Sequence, residues 1–403
     1  MSCIKEPKGY IKMSLNSGDA YIKESRLKDI NKIDAVIFDC DGVLIDVRES
    51  YDKAIAKATA WIFERLTGYK IPEDLITSEI IFLFRKSGGF NNDYDIVYGL
   101  LMFLLSEMPP KFLEELTTII RSLNSKSGVS ERIQAVAGKV YVKDVNIDNL
   151  YTKLEKLTSM LDHTGVASID RIILSSKGIS EETYNTLKNF LYGSRRVDKG
   201  IITAVFEEIF CGSDLFKKIH NIEPEIFHER GTIENSRVIV RYETLNKLSS
   251  LISGPRFGIA SGSRFAAIKY ILGGLLDLFN TRALIFLDNI EEVEREYLSR
   301  GFIKISLIKP NPYSLLRSAW SLEPFRMALY VGDSIEDALT TDRANRIDPR
   351  FMFSGVYAYT GAEDKALREF LKFGCDIISP SVNEIPLIIE TTRRRYFERG
   401  GAL

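Results

Sequence analysis

The feature that most constrains the fold of this chain is a separation. A short β-branched run at 33–39, I-D-A-V-I-F-D, reads as a strand buried on both faces of a parallel sheet. No comparable strand follows until after residue 236. The intervening chain opens with a helix at 50–67, with Ser50 to cap it and Gly68 to stop it. Further helical segments follow at 73–86, 94–107, 110–123, 148–161, 181–192 and 199–210, several bounded by Gly or Pro. Beyond 236, strands at 256–260, 283–287, 327–331 and 351–358 alternate with helices, a pattern that argues for a doubly wound parallel sheet. A lone strand leaves its backbone unpaired, so the economical solution joins 33–39 to the later sheet and makes the middle an inserted domain. The expected organisation is an N-terminal extension or partly ordered arm over 1–32, a catalytic core of 33–49 with 236–403, and a mainly helical insert over 50–235.

Composition narrows the function classes. Among 403 residues, 54 Lys and Arg stand against 55 Asp and Glu, and the formal net charge of -1 supplies no global field for nucleic acid or an anionic membrane. The longest apolar run, Ile96 to Leu105, is about half of the roughly 20 residues a membrane span needs. Four cysteines, Cys3, Cys40, Cys211 and Cys375, are scattered singly, and no secretory h-region is evident, so free thiols in a reducing cytoplasm are expected. Three histidines, His163, His220 and His228, are a thin supply for a His-built metal site, so carboxylates are expected to hold any metal.

Ligands in open α/β sheets sit outside the carboxyl ends of the strands, so the residues following each strand matter most. The first strand ends in Asp39-Cys40-Asp41-Gly42, two carboxylates two residues apart at a glycine turn. They suit a nucleophile and an acid/base, or a strand-ending Asx turn. R-F-G-I-A runs into Ser261-Gly262-Ser263 and a helix, which suits either a phosphate oxygen or a helix cap. Lys309 precedes a proline-stiffened turn and can neutralise charge on a phosphoryl group, although a lone lysine is ordinarily solvated. M-A-L-Y-V ends in Gly332-Asp333-Ser334-Ile335-Glu336-Asp337, whose acids suit a hard cation or a helix dipole. Asp288, after strand 283–287, could lie near the same site.

Together these motifs resemble the haloacid dehalogenase (HAD) superfamily, in particular its phosphatases with a helical cap inserted after the first motif. The resemblance rests on D-C-D-G-V-L-I-D at Asp39 to Asp46, I-A-S-G-S at Ile259 to Ser263, I-K-P-N-P at Ile308 to Pro312, and V-G-D-S-I-E-D-A at Val331 to Ala338. It implies a HAD-like α/β, Rossmann-like core with Asp39 as nucleophile, forming an aspartyl-phosphate, and Asp41 as acid and then base. It also implies that Ser261 and Gly262 bind phosphate with Lys309. Mg²⁺ would be held by Asp39, Asp41 through its carbonyl, Asp333, and Asp337 directly or through water. Because Asp41 is present, a phosphatase or phosphomutase is favoured over carbon–halogen chemistry. Alternatives are a phosphomutase or phosphotransferase using the same intermediate, or a non-catalytic binding protein on this scaffold. The insert is roughly twice the usual length for such caps, so substrate choice cannot be borrowed from relatives. Within it, Asn91, Asn92 and Asp93 are candidate substrate-selecting residues, with Arg85 or Lys86 nearby; the alternative is a loop with a helix cap. The segment 206–216 is read as structural, and Arg393-Arg394-Arg395 as a solvated helix end. The expected partner is a small phosphomonoester, without nucleic acid or membrane, and a homodimer through the cap is possible.

Overall fold

The computed structural model describes residues 7–90, 92–124, 127–142, 149–176, 178–302 and 305–398. The chain divides into two compact units, residues 1–47 with 236–403 and residues 48–235.

Among the described residues, ten strands lie in the first unit: β1 (Tyr10–Leu15), β2 (Gly18–Lys23), β3 (Ile33–Phe38), β4 (Ile45–Asp46), β5 (Arg237–Val238), β6 (Phe257–Ala260), β7 (Leu284–Ile285), β8 (Met327–Gly332), β9 (Phe351–Val356) and β10 (Ile377–Ser379). Eight of them form one sheet in the order β1-β2-β10-β9-β8-β3-β6-β7. The run from β10 to β7 is parallel throughout. The strand isolated in the sequence is thus central, between β8 and β6, and all its apolar side chains are fully buried. The chain winds outward from β3 through β6 to β7 on one side, then from β8 through β9 to β10 on the other. That reversal of winding next to β3 is where α/β sheets open a crevice at their carboxyl ends. Strands β4 and β5 pair antiparallel, Ile45 with Val238 and Asp46 with Arg237, closing the two core segments that flank the insert.

Three expectations are corrected here. Residues 10–23, read as part of an arm, form a hairpin: β1 pairs antiparallel with β2, and β2 with β10. The Tyr10 hydroxyl donates to the Cys375 carbonyl at 2.7 Å and Lys23 Nζ to that of Gly374 at 2.9 Å. As an edge hairpin it keeps one face polar, and so lacks the apolar run that marked the central strands. Strand β10, missed in the sequence, is only three residues long and is identified by its neighbours. Arg393, read as solvated, donates to the carbonyls of Leu251 at 2.5 Å and Ile33 at 2.6 Å, tying the last helix under β3.

The second unit has no named strand among its described residues. Its helices are Tyr51–Thr67, Ser78–Lys86, Asp93–Ser106, Pro110–Ser122, Val129–Val136, Leu150–Met160, Val166–Ser175, Glu181–Tyr192 and Ile201–His220. Val129–Val136 and Val166–Ser175 were not anticipated. The centre is Asp93–Ser106, in which every residue from Tyr94 to Leu105 is buried. At roughly 1.5–3 kcal/mol for each large side chain removed from water, this helix organises the unit. The apolar run from Tyr98 is therefore core. The Tyr98 hydroxyl is satisfied by Asp170 at 2.7 Å and Tyr184 at 3.0 Å. No helix among the described residues is long and apolar enough to cross a membrane.

Candidate active site

Parallel register aligns the ends of three adjacent strands. Phe38 of β3 pairs with Val331 of β8 and with Ile259 of β6. Asp39 therefore follows β3 directly, with its N–H donating to the Val331 carbonyl at 2.9 Å, while Gly332-Asp333 and Ala260-Ser261 leave the flanking strands at the same level. Asp39, Asp333 and Asp337 come together, each offering an oxygen within 4.8 Å of the others.

Lys309 stands at the centre of the charge balance. It is 6% exposed, and its Nζ lies 3.0 Å from Asp39 Oδ1 and 2.7 Å from Asp337 Oδ1. Burial works against the ammonium, but the carboxylates of Asp337 and Asp39 outweigh it and hold its pKa well above the ordinary lysine value. Burial also pushes the Asp39 carboxyl up, against the pull of Lys309. The Cys40 thiol is raised for the same reason, burial first and the carboxylates of Asp39 and Asp41 next, so it stays protonated.

Asp337 is the anchor of this arrangement. Its Oδ1 accepts from Lys309 and, at 2.8 Å, from the Tyr330 hydroxyl; its Oδ2 accepts from the Ser334 hydroxyl at 2.7 Å and the Ser334 N–H at 3.2 Å. The Ser334 hydroxyl in turn accepts from the Asp337 N–H, a capping box that starts helix Ile335–Asn345. One carboxylate thus both caps the helix and faces Lys309.

Asp41 is held by Ser263, whose hydroxyl donates to Oδ2 at 2.7 Å. Ser261 is buried and its Oγ accepts from the Ser263 N–H at 3.2 Å, so the two serines form one turn. Neither caps helix Phe265–Leu272 by hydrogen bond: its N-cap is Arg264, and the Phe265 N–H donates instead to Asp288 Oδ2 at 2.8 Å. Asp288 also pairs with Arg264 at 3.0 Å, and so supports the turn of the serine motif. Gly262 has open space where a side chain would be.

Gly42 shows why the first motif needs glycine. Its φ is +70°, and a Cβ there would run into the Asp333 carboxylate. Gly42→Ala is expected to cost about 1–3 kcal/mol and to displace Asp333, lowering metal affinity. Thermal unfolding and Mg²⁺ titration check this, and an unchanged midpoint with unchanged Mg²⁺ dependence would contradict it.

The carboxylate set fits magnesium. Three oxygen donors and one ammonium leave a local excess of negative charge, and hard oxygen ligands suit Mg²⁺. Sequence reasoning missed Tyr330, Ser334 and the orienting role of Ser263. A tyrosine inside an otherwise wholly apolar parallel strand was the available signal, since a buried hydroxyl needs a partner.

Of the candidates in the insert, Asn91 lies outside the described residues. Asn92 is the N-cap of helix Asp93–Ser106, its side chain accepting from the Tyr94 N–H at 2.9 Å. Asp93 pairs with Arg85 at 3.1 Å, and Arg85 also reaches Asp52 at 3.2 Å. The helix-cap alternative accounts for Asn92.

Comparison with protein-family models and with curated proteins returns no match. One solved structure, a target of the Northeast Structural Genomics Consortium, superposes with a TM-score of 0.58 at 15% identity, over 89% of this chain and 99% of that one. That likeness shows a shared fold. The parallel sheet and the carboxylates gathered at its strand ends are what the resemblance to the haloacid dehalogenase superfamily implies. Also similar are phosphatase Tt82 from Thermococcus thioreducens and a phosphonoacetaldehyde hydrolase-like protein from Oleispira antarctica. The first has a TM-score of 0.43 at 20% identity, over 84% of this chain and 97% of that one. The second has a TM-score of 0.40 at 12% identity, over 90% and 94%. The core gathers Asp39, Asp333 and Asp337 into one carboxylate cluster, and the inserted helical unit occupies residues 48–235.

Proposed function

We propose that the protein is a Mg²⁺-dependent phosphomonoester hydrolase of small phosphorylated metabolites, acting through an aspartyl-phosphate at Asp39. The observation that carries this reading is the Lys309 ammonium fixed between Asp39 and Asp337, beside Asp333 and one motif turn from Asp41. An Asp39 oxygen attacks phosphorus and the phosphorus–oxygen bond of the ester breaks. Asp41, oriented by Ser263, gives its proton to the departing oxygen. Asp41 then takes a proton from water as that water attacks the acyl phosphate, releasing phosphate and restoring Asp39. Ser261 and Gly262 bind the phosphoryl oxygens, and Lys309 neutralises the charge they carry. Asp39, Asp333 and the Asp41 carbonyl would hold Mg²⁺, which when bound supplies positive charge for phosphoryl transfer. Asp337, whose oxygens also accept from Lys309, Tyr330 and Ser334, would contribute directly or through water.

Phosphate release from a panel of small phosphomonoesters, with Mg²⁺ and with EDTA, tests the reading, alongside trapping of the phosphoenzyme. Mg²⁺-dependent turnover with label at Asp39 is the expected result. Label without turnover indicates a mutase or transferase, and neither label nor turnover indicates a binding protein. Asp41→Asn is expected to lower turnover by about 10²–10⁴-fold, more for poor leaving groups than for p-nitrophenolate. An equal loss across leaving groups would remove Asp41 as the proton donor.

A further inference from the structure

The second unit contains a cluster with no part in the phosphatase reading. Glu207, Cys211 and His220 each offer a ligand atom within 4.8 Å of the others. Cys211 Sγ stands 3.4 Å from Glu207 Oε2, and His220 Nε2 stands 3.2 Å from the same oxygen. Glu207 is 6% exposed and Cys211 4%.

The fold builds this cluster against the ordinary course of a helix. Glu207 and Cys211, four apart, share a helical face. His220, thirteen residues after Glu207, would lie about 20 Å along a straight helix. Helix Ile201–His220 is instead broken at Gly212 (φ 69°, ψ 172°), and the break folds His220 back onto Glu207. Gly212 bridges to Arg230, and the Gly231 backbone packs so closely on Cys211 and Gly212 that a Cβ at either glycine would collide. The next residue in sequence after Glu207 holds the loop: the Glu208 carboxylate accepts from the N–H groups of Glu225, Ile226 and Phe227 at 3.0, 2.7 and 2.8 Å.

We infer that Glu207, Cys211 and His220 form a zinc-class metal site within the helical unit, separate from the carboxylate site of the core. The donors are one oxygen, one sulfur and one imidazole nitrogen, the mixture that zinc takes and magnesium does not. Around a tetrahedral zinc with bonds of about 2.0–2.3 Å, neighbouring ligand atoms stand about 3.3–3.6 Å apart, close to the two spacings from Glu207 Oε2. Charge also balances: on binding, the Cys211 thiol proton leaves to solvent, so carboxylate and thiolate together neutralise the dication while the imidazole lends a lone pair. The second oxygen of Glu207 accepts from the Tyr94 hydroxyl, which orients the carboxylate. A fourth position is left to solvent.

The test is titration of the metal-free full-length protein with Co²⁺, followed by Zn²⁺. One equivalent of Co²⁺ gives a thiolate-to-cobalt charge-transfer band that Zn²⁺ removes. Asp333→Asn keeps the band, Cys211→Ser loses it, and His220→Gln weakens Zn²⁺ binding by at least about 100-fold. Zn²⁺ raises the thermal midpoint of wild type and of Asp333→Asn, but not of Cys211→Ser or His220→Gln. Absence of the band in wild type, or its survival in Cys211→Ser, overturns the inference and leaves Glu207 as a buried hydrogen-bonded carboxylate. If Cys211→Ser does not fold, His220→Gln, at the cluster's more open side, decides between the same outcomes.

Discussion

Asp39→Asn is expected to lower phosphate release by on the order of 10⁴-fold or more with the fold retained. The amide matches the carboxylate in size, but its oxygen is a poor nucleophile and it cannot carry an acyl phosphate. Stability is set by two opposed effects. Burial already raises the Asp39 carboxyl, so a neutral group there relieves a desolvation cost. Against this, Lys309 loses its partner at 3.0 Å but keeps Asp337 at 2.7 Å. The thermal midpoint should therefore move by only a few degrees. Steady-state phosphate release and a thermal scan on the same preparation check both halves. Activity within tenfold of wild type would remove Asp39 as the nucleophile.

Lys309→Met is expected to be costly on both counts: activity falls by about 10²–10³-fold, and stability by about 3–5 kcal/mol. Methionine fills much of the lysine volume, so the loss is electrostatic rather than a cavity. Asp39 and Asp337 would be buried side by side without the ammonium between them. The pH dependence has a definite sign. The folded pKa of Asp39 lies above its unfolded value, and removing Lys309 takes away the charge that pulls it down. A carboxyl whose folded pKa is raised makes the folded state bind protons more tightly than the unfolded one. Stability is then lost as pH rises from the unfolded carboxyl value, about 3.9, through the folded one. The gap between variant and wild type should therefore narrow on acidification from pH 7 to pH 5, measured as thermal midpoints in EDTA. A gap independent of pH would mean that Lys309 stabilises by packing alone.

Most of the candidate site was legible because the residue types that suit phosphoryl transfer were sought at strand ends, and strand ends are marked by apolar runs that stop. Asp39, Asp41, Asp333 and Asp337 were read this way and Lys309 from the proline-stiffened turn it precedes, although no single one was decisive. What linear reading could not supply was orientation. That Asp337 serves as the anchor for Lys309 follows from the capping geometry of Ser334 and from a hydroxyl reaching out of β8. Ser263 and Ser261 were equivalent in the sequence, yet one positions Asp41 while the other closes the turn.

The sequence by itself determined the architecture of the core. The alternation of strands and helices after residue 236, with one orphan strand at 33–39, leaves little besides a parallel sheet into which that strand inserts. Burial on both faces then writes itself into composition. Tertiary structure alone decided the rest: the edge hairpin of β1 and β2, the three-residue strand β10, the Arg393 tether and the helical break at Gly212. Each is stabilised by partners far away in the chain, through backbone hydrogen bonds, a guanidinium on backbone carbonyls or close glycine contacts that no local period encodes. The Glu207, Cys211 and His220 cluster is the extreme case. With only three histidines in the chain, composition points to carboxylates for any metal. A single backbone turn at one glycine brings together ligands that a continuous helix would hold about 20 Å apart.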